Sequence, residues 1–254
     1  MARERIGSFA YLLPAVWLLS LAFGSTGLAS QSDRKATLYT DTELSAMIAH
    51  DLGRVRINGK SVEVLGGIVT LRGEVSSIGE KNEAAAIAAK VPQVKDVENE
   101  IAIVWDASDR EIAQTAIDRL NGYVHYTIYD GVQCEVANGV LHLAGRVTQS
   151  HKVQEIGTLL SKTPGVRAVE NEIRVIPFVA SDEDVRVGVA VALYRALPDY
   201  AEAPMLPLHV VVENARVTLE GTVRTGDERR TAEQVTRTVP GVAQVDNRLV
   251  LLPT

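Results

Sequence analysis

The sequence predicts an α+β protein built as three tandem small α-β-β-α-β domains, each a three-stranded sheet with two helices on one face. Three observations predict it. The stretch Val69-Thr70-Leu71-Arg72-Gly73-Glu74-Val75 returns as Val140-Leu141-His142-Leu143-Ala144-Gly145-Arg146-Val147 and as Val217-Thr218-Leu219-Glu220-Gly221-Thr222-Val223. A proline block follows each copy, with 19 residues from glycine to proline (Gly73 to Pro92, Gly145 to Pro164, Gly221 to Pro240) and 7 from proline to asparagine (Asn99, Asn171, Asn247). Helix and turn signals recur around these blocks in a constant order. Repetition of this kind fixes the architecture before any single residue is read.

The first helix of each unit opens on a cap. Thr40-Asp41-Thr42-Glu43 and Ser108-Asp109-Arg110-Glu111 are capping boxes, and Ser181-Asp182-Glu183-Asp184 is a weaker version. Apolar residues then recur at helical spacing, as in Ile112, Ala116, Ile117 and Leu120. A hairpin comes next. Its first strands are Ser61 to Leu65, Gln133 to Val136 and Leu208 to Val212, and its turns are Gly66-Gly67, Asn138-Gly139 and Glu213-Asn214-Ala215. The glycines at 73, 145 and 221 sit inside the second strand, where they point to a bulge or to close approach by the packed helix. The second helix runs from Ser77, Ser150 and Gly226 until the proline block stops it. The closing strands are Val97 to Trp105, Val169 to Ile176 and Val245 to Leu252. In the third copy Pro198, Pro204 and Pro207 point to a stiffened loop before its first strand.

Domain limits follow: residues 41–106, 107–177 and 178–254, preceded by a linker at 31–40 and a leader at 1–30. The leader has a basic start at Arg3 and Arg5, an apolar run from Ile6 to Phe23 and small residues after it, so it reads as a secretory signal peptide cleaved after Ala29 or Ser30. A retained membrane anchor is the alternative. Units of about 70 residues bury only modest cores, so contacts between repeats are expected, with Trp105 and Phe178 at the seams.

The net charge is −6, and loss of the leader with Arg3, Arg5 and Glu4 leaves −7. Nucleic acid is therefore not an expected partner. The middle unit is the least acidic. No histidine pair at helical spacing, no cysteine pair, no P-loop and no nucleophile elbow is present, so no catalytic residue, metal ligand or cofactor is predicted. Cys134 reads as a buried strand thiol. Two clusters in the middle unit are candidate contacts with lipid or a partner. Tyr123, Tyr126 and Tyr129 gather with His125 between the first helix and first strand, and amphipathic aromatics suit a membrane interface or a protein contact. Arg146, His151 and Lys152 lie between the second strand and second helix, where a helix N-terminus can meet phosphate. Ordinary loop packing and a solvated turn are the alternatives.

The three copies resemble the BON domain, the repeat of OsmY-like periplasmic proteins. The resemblance rests on the Leu-x-Gly-x-Val strand, the helix after it and the Gly-Val-x-x-Val-x-Asn block, and it spans residues 41–254. It implies a small α/β fold, a periplasmic location and binding of phospholipid or membrane-associated partners, without catalysis. Gln93 departs from it, standing where the other copies have Gly165 and Gly241. The expectation is a non-enzymatic exported protein that binds a phospholipid membrane surface in envelope maintenance or osmotic stress, chiefly through the middle unit. The alternative is a chaperone-like interaction module acting on envelope proteins without lipid.

Overall fold

The computed structural model describes residues 38–201 and 207–252; the expected leader and Pro204 lie outside them. Helix α1 (Asp41–Asp51) starts on its capping box, with Thr40 Oγ1 accepting from the Glu43 N–H and the Glu43 carboxylate accepting from the Thr40 N–H. A 3-10 turn (Leu52–Arg54) leads into the hairpin β1 (Asn58–Leu65) and β2 (Ile68–Val75), then helix α2 (Ile78–Ala88). The closing strand comes in two pieces, β3 (Asp96–Asn99) and β4 (Ala102–Ile103). The second repeat follows with α3 (Asp109–Asn121), β5 (Gly131–Ala137), β6 (Val140–Val147), α4 (Ser150–Ser161) and an unbroken β7 (Ala168–Val175). The third has α5 (Ala180–Ala196), a short α6 (Pro198–Ala201), β8 (Leu208–Glu213), β9 (Arg216–Val223), α7 (Gly226–Arg237), β10 (Gln244–Asn247) and β11 (Val250–Leu251).

In every sheet the glycine-bearing strand is central, antiparallel to its hairpin partner and parallel to the closing strand. A parallel neighbour needs a crossover, and the second helix of each repeat supplies it. Leucine and asparagine of the motif face each other in identical register: Leu71 with Asn99, Leu143 with Asn171, Leu219 with Asn247. Each repeat has its own core, anchored for example by Leu44, Ile48 and Leu71, by Leu141, Ile156 and Leu160, and by Val189, Leu193 and Leu219.

The recurrent polar residues hold these layers in place. The asparagine side chains donate to the carbonyls of Lys81, Val153 and Arg229 in the second helices, at 2.7, 2.8 and 3.0 Å. Their carbonyl oxygens accept from the N–H groups of Ile101, Ile173 and Leu249, so each asparagine ties a helix to the closing strand. Asp41, Asp109 and Asp182, near the starts of the first helices, accept from backbone N–H groups of the hairpin turns: Gly66, Asn138 with Gly139, and Asn214 with Ala215. The proline blocks close as turns with Val94, Val166 and Val242 donating to Val91, Thr163 and Val239, and with positive φ at Gln93, Gly165 and Gly241.

Four expectations are corrected. Of the two readings of the strand glycines, the packed helix is corrected to a neighbouring strand, since a Cβ on Gly145 would lie 2.1 Å from the Gly131 carbonyl oxygen. A bulge does stand opposite Gly73, where the β1 register shifts between Asn58 and Ser61. Ser181 does not cap α5, which starts at Ala180 with no side-chain cap; Asp182 serves the hairpin turn instead. The closing strands of the first and third repeats come in two pieces, interrupted after Asn99 and Asn247, whereas β7 runs through Asn171 unbroken. Pro198 opens α6, a position that needs no N–H donor, and α6 places Tyr200 to accept from the Arg224 N–H and donate to Glu228.

Candidate functional site

The features that distinguish the middle repeat build a joint with the third. The loop from Tyr123 to Asp130 reaches across to β8. Ile128 is buried in the third repeat's core, and its carbonyl accepts from the Val210 N–H at 2.6 Å. Tyr126 is buried; its ring lies 5.0 Å from that of His209 and its hydroxyl accepts from the Val132 N–H. Burial raises the Tyr126 phenol well above its ordinary range. Tyr129 packs against the third core, and Arg146 pairs across the joint with Glu213 at 2.5 Å.

Lys152 is 2% exposed and meets Asp130, 0% exposed, at 2.7 Å. The register explains the pair. Seven residues after the motif glycine the other repeats have Glu80 and Glu228, whose carboxylates accept from the N–H groups of Ser76 and Arg224. The middle repeat has Lys152 there, and Asp130 from the loop supplies the missing carboxylate, accepting from the Thr148 N–H at 2.9 Å. Burial pushes the Asp130 carboxyl up, but the Lys152 ammonium and the N–H groups of Thr148 and Thr127 outweigh it and hold the group below its usual range. Tyr126, Tyr129, Arg146 and Lys152 thus serve the joint, and Lys152 is closed to a surface ligand. Tyr123 and His151 remain at the surface, linked through His125, with Tyr123 donating to Glu155. Burial and that carboxylate push the Tyr123 phenol up to about 12.

Beside the joint opens a cavity of about 430 Å³ lined by Val124, His125, Tyr129, Phe178, Glu183 and Arg186, among others. Val124 and Phe178, 86% and 81% exposed, stand at its mouth, so Phe178 flanks the seam without packing into it. Arg186 is buried on its wall; one terminal nitrogen pairs with Glu183, the other donates to the Val212 carbonyl at 3.4 Å, and its Nε lacks a hydrogen-bond partner. The arrangement offers an apolar rim and an interior polar donor, which suits an amphipathic ligand. Neither Val124 nor Arg186 is prominent in the sequence, because what sets them apart is their meeting at a joint.

Trp105 lies at the other joint, as expected. There Gly165 donates to the Ser76 carbonyl and Ile78 to that of Val166, both at 2.8 Å, and Lys162 pairs with Glu83. Gly79 lets α2 approach α4: a Cβ on it would lie 2.7 Å from Ser161 Oγ. Cys134 is half-buried, and burial pushes its thiol up to about 12. Among the described residues no group of three or more metal-ligating side chains converges, and no helix is long and apolar enough to cross a membrane.

No curated protein matches the chain. Among solved structures it is similar to the C-terminal domain of CdsD, a structural protein of the type III secretion system of Chlamydia trachomatis, at 18% identity and TM-score 0.25, covering 85% of this chain and 100% of that one. It is also similar to the PrgH periplasmic domain, at 14% identity and TM-score 0.22, covering 76% of this chain and 95% of that one. The family model described as BON domain matches three times, at residues 40–104, 108–177 and 188–253. Matched in tandem along most of its length, the chain belongs to the BON domain family.

Proposed function

We propose that this protein is a non-enzymatic, exported periplasmic factor that docks on a phospholipid surface at the joint of its second and third repeats. One observation carries the reading: Val124 and Phe178 stand almost fully exposed at the mouth of a cavity that has Arg186 on its wall. Exposed apolar side chains rimmed by polar groups are a signature of membrane or partner contact. The cations of this region already have carboxylate partners, Lys152 with Asp130 and Arg186 with Glu183, and the chain is acidic. Docking is therefore driven by insertion of the apolar rim, with charge attraction minor.

Co-sedimentation with phospholipid vesicles tests this. Binding should change little between about 0.05 and about 0.5 M salt, because only charge attraction is screened. Burying two apolar side chains is worth enough that Val124→Ser with Phe178→Ser weakens binding about tenfold or more. Unchanged sedimentation of that double variant would sink the proposal. A protein-interaction role is favoured instead by the exposed strand end Val250, Leu251 and Leu252. Suppression of client aggregation without vesicle binding would select it.

A further inference from the structure

A second cavity, of about 590 Å³, opens at the joint of the first and second repeats. Arg54 and Arg56 reach it from the end of the 3-10 turn, Arg119 from the last turn of α3, and Trp105 forms part of its wall. The other charges in the wall are mostly committed. Lys162 pairs with Glu83 at 2.7 Å, and the Glu80 carboxylate accepts from the Ser76 N–H and hydroxyl at 2.9 and 2.7 Å. Among the described residues Arg54, Arg56 and Arg119 have no acidic partner, and Arg119 Nε is buried without a hydrogen-bond acceptor. Glu74 and Glu80 also line the wall, so with Lys162 and Glu83 paired the three guanidiniums leave one positive charge in excess.

Guanidinium groups keep their charge at any physiological pH, and these three carry no acidic side chain of their own, so they are available to an entering anion. Their planar donor forks match phosphate oxygens two at a time. A phosphate monoester carries about two negative charges at neutral pH, enough to engage more than one of the three guanidiniums. The indole of Trp105 offers a flat apolar face to the organic part of such a ligand, and the volume suits a small molecule. We propose that the first joint is a binding site for a phosphate monoester, held by Arg54, Arg56 and Arg119 against Trp105. The site is separate from the apolar rim at the second joint. It takes residues from two repeats, so occupancy also fastens them together.

The chain has two tryptophans, so the full-length Trp17→Phe variant leaves Trp105 as its only indole. Titration of its fluorescence with glycerol 3-phosphate at constant ionic strength should show a saturable change. Arg119→Gln and, separately, Arg54→Gln should each weaken the apparent affinity about tenfold, the loss expected for one charge-assisted contact. Arg230→Gln, on the exposed face of α7, should leave it unchanged. Urea midpoints of the unliganded variants show that each still folds. Monomeric dihexanoyl phosphatidic acid carries the same headgroup chemistry: tenfold tighter binding than glycerol 3-phosphate assigns the site to lipid, and equal or weaker binding assigns it to a soluble ester. Absence of a saturable change with both probes, or titrations undiminished in both arginine variants, overturns the proposal.

Discussion

Removing the ammonium of Lys152 leaves the Asp130 carboxylate buried without its counter-charge, and breaking a buried pair on one side costs about 3–5 kcal/mol. Lys152→Met is therefore expected to lower stability by about that amount in urea melts at neutral pH. The Asp130 carboxyl titrates lower in the folded chain than its reference value of 3.8. Its contribution is thus full above about pH 4 and is lost as pH falls through the folded value. In Asp130→Asn the dependence of stability on pH below about 4 should flatten; an unchanged slope would contradict the pairing. Ala215 makes a smaller case. It holds φ at 61° in a turn where the first two repeats have Gly67 and Gly139, and a side chain in that region is strained. Ala215→Gly should raise the urea midpoint by the equivalent of about 1 kcal/mol. The sequence shows both anomalies once the copies are aligned, because Glu80, Lys152 and Glu228 share one position and Gly67, Gly139 and Ala215 another. What it does not show is that Asp130 answers Lys152, since the two lie 22 residues apart in the chain.

Between elements, the motif asparagines carry the tie from second helix to closing strand. Asn171→Ala removes the donor to the Val153 carbonyl and the acceptor for the Ile173 N–H. At about 1 kcal/mol per bond, a loss of about 2 kcal/mol is expected by thermal melting, with the amides of β7 the first to gain hydrogen exchange. Much of this level is legible in the residues. Hairpin turns, the Thr40 and Ser108 boxes and the proline stops depend on neighbours a few positions apart, and local chemistry decides them. The strand glycines are harder to read. Nothing near Gly145 in sequence reveals that the Gly131 carbonyl oxygen lies where its Cβ would be. Gln93 is the converse, since it takes φ 69° without glycine's freedom and accepts from the Tyr39 N–H through its own side chain.

On the scale of the whole molecule, the joints convert three marginal units into a coupled array. Ile128 belongs to the second repeat by sequence and to the third by packing. Ile128→Ala should cost about 2–5 kcal/mol and should split a single calorimetric transition, with the third repeat melting first. One undivided transition would mean that the coupling runs elsewhere. This level was the least legible. Tyr126 meets His209, and Arg146 meets Glu213, across more than sixty residues of chain, and no periodicity records such a meeting. The middle repeat's aromatic and basic residues therefore read as a ligand surface although most of them hold the joint. Val124 and Phe178 acquire their interest only from the cavity that the joint creates.

The Ile128 plug also sets a grammar for the array. By their shared motif the repeats look interchangeable, like beads that permit any order. A permuted chain with the first repeat ahead of the third would leave Ile128 in solvent and a vacancy of isoleucine size in the third repeat's core. A fragment ending after the second repeat would carry the same exposed side chain. The second and third repeats therefore have to be transplanted, truncated or duplicated as a pair.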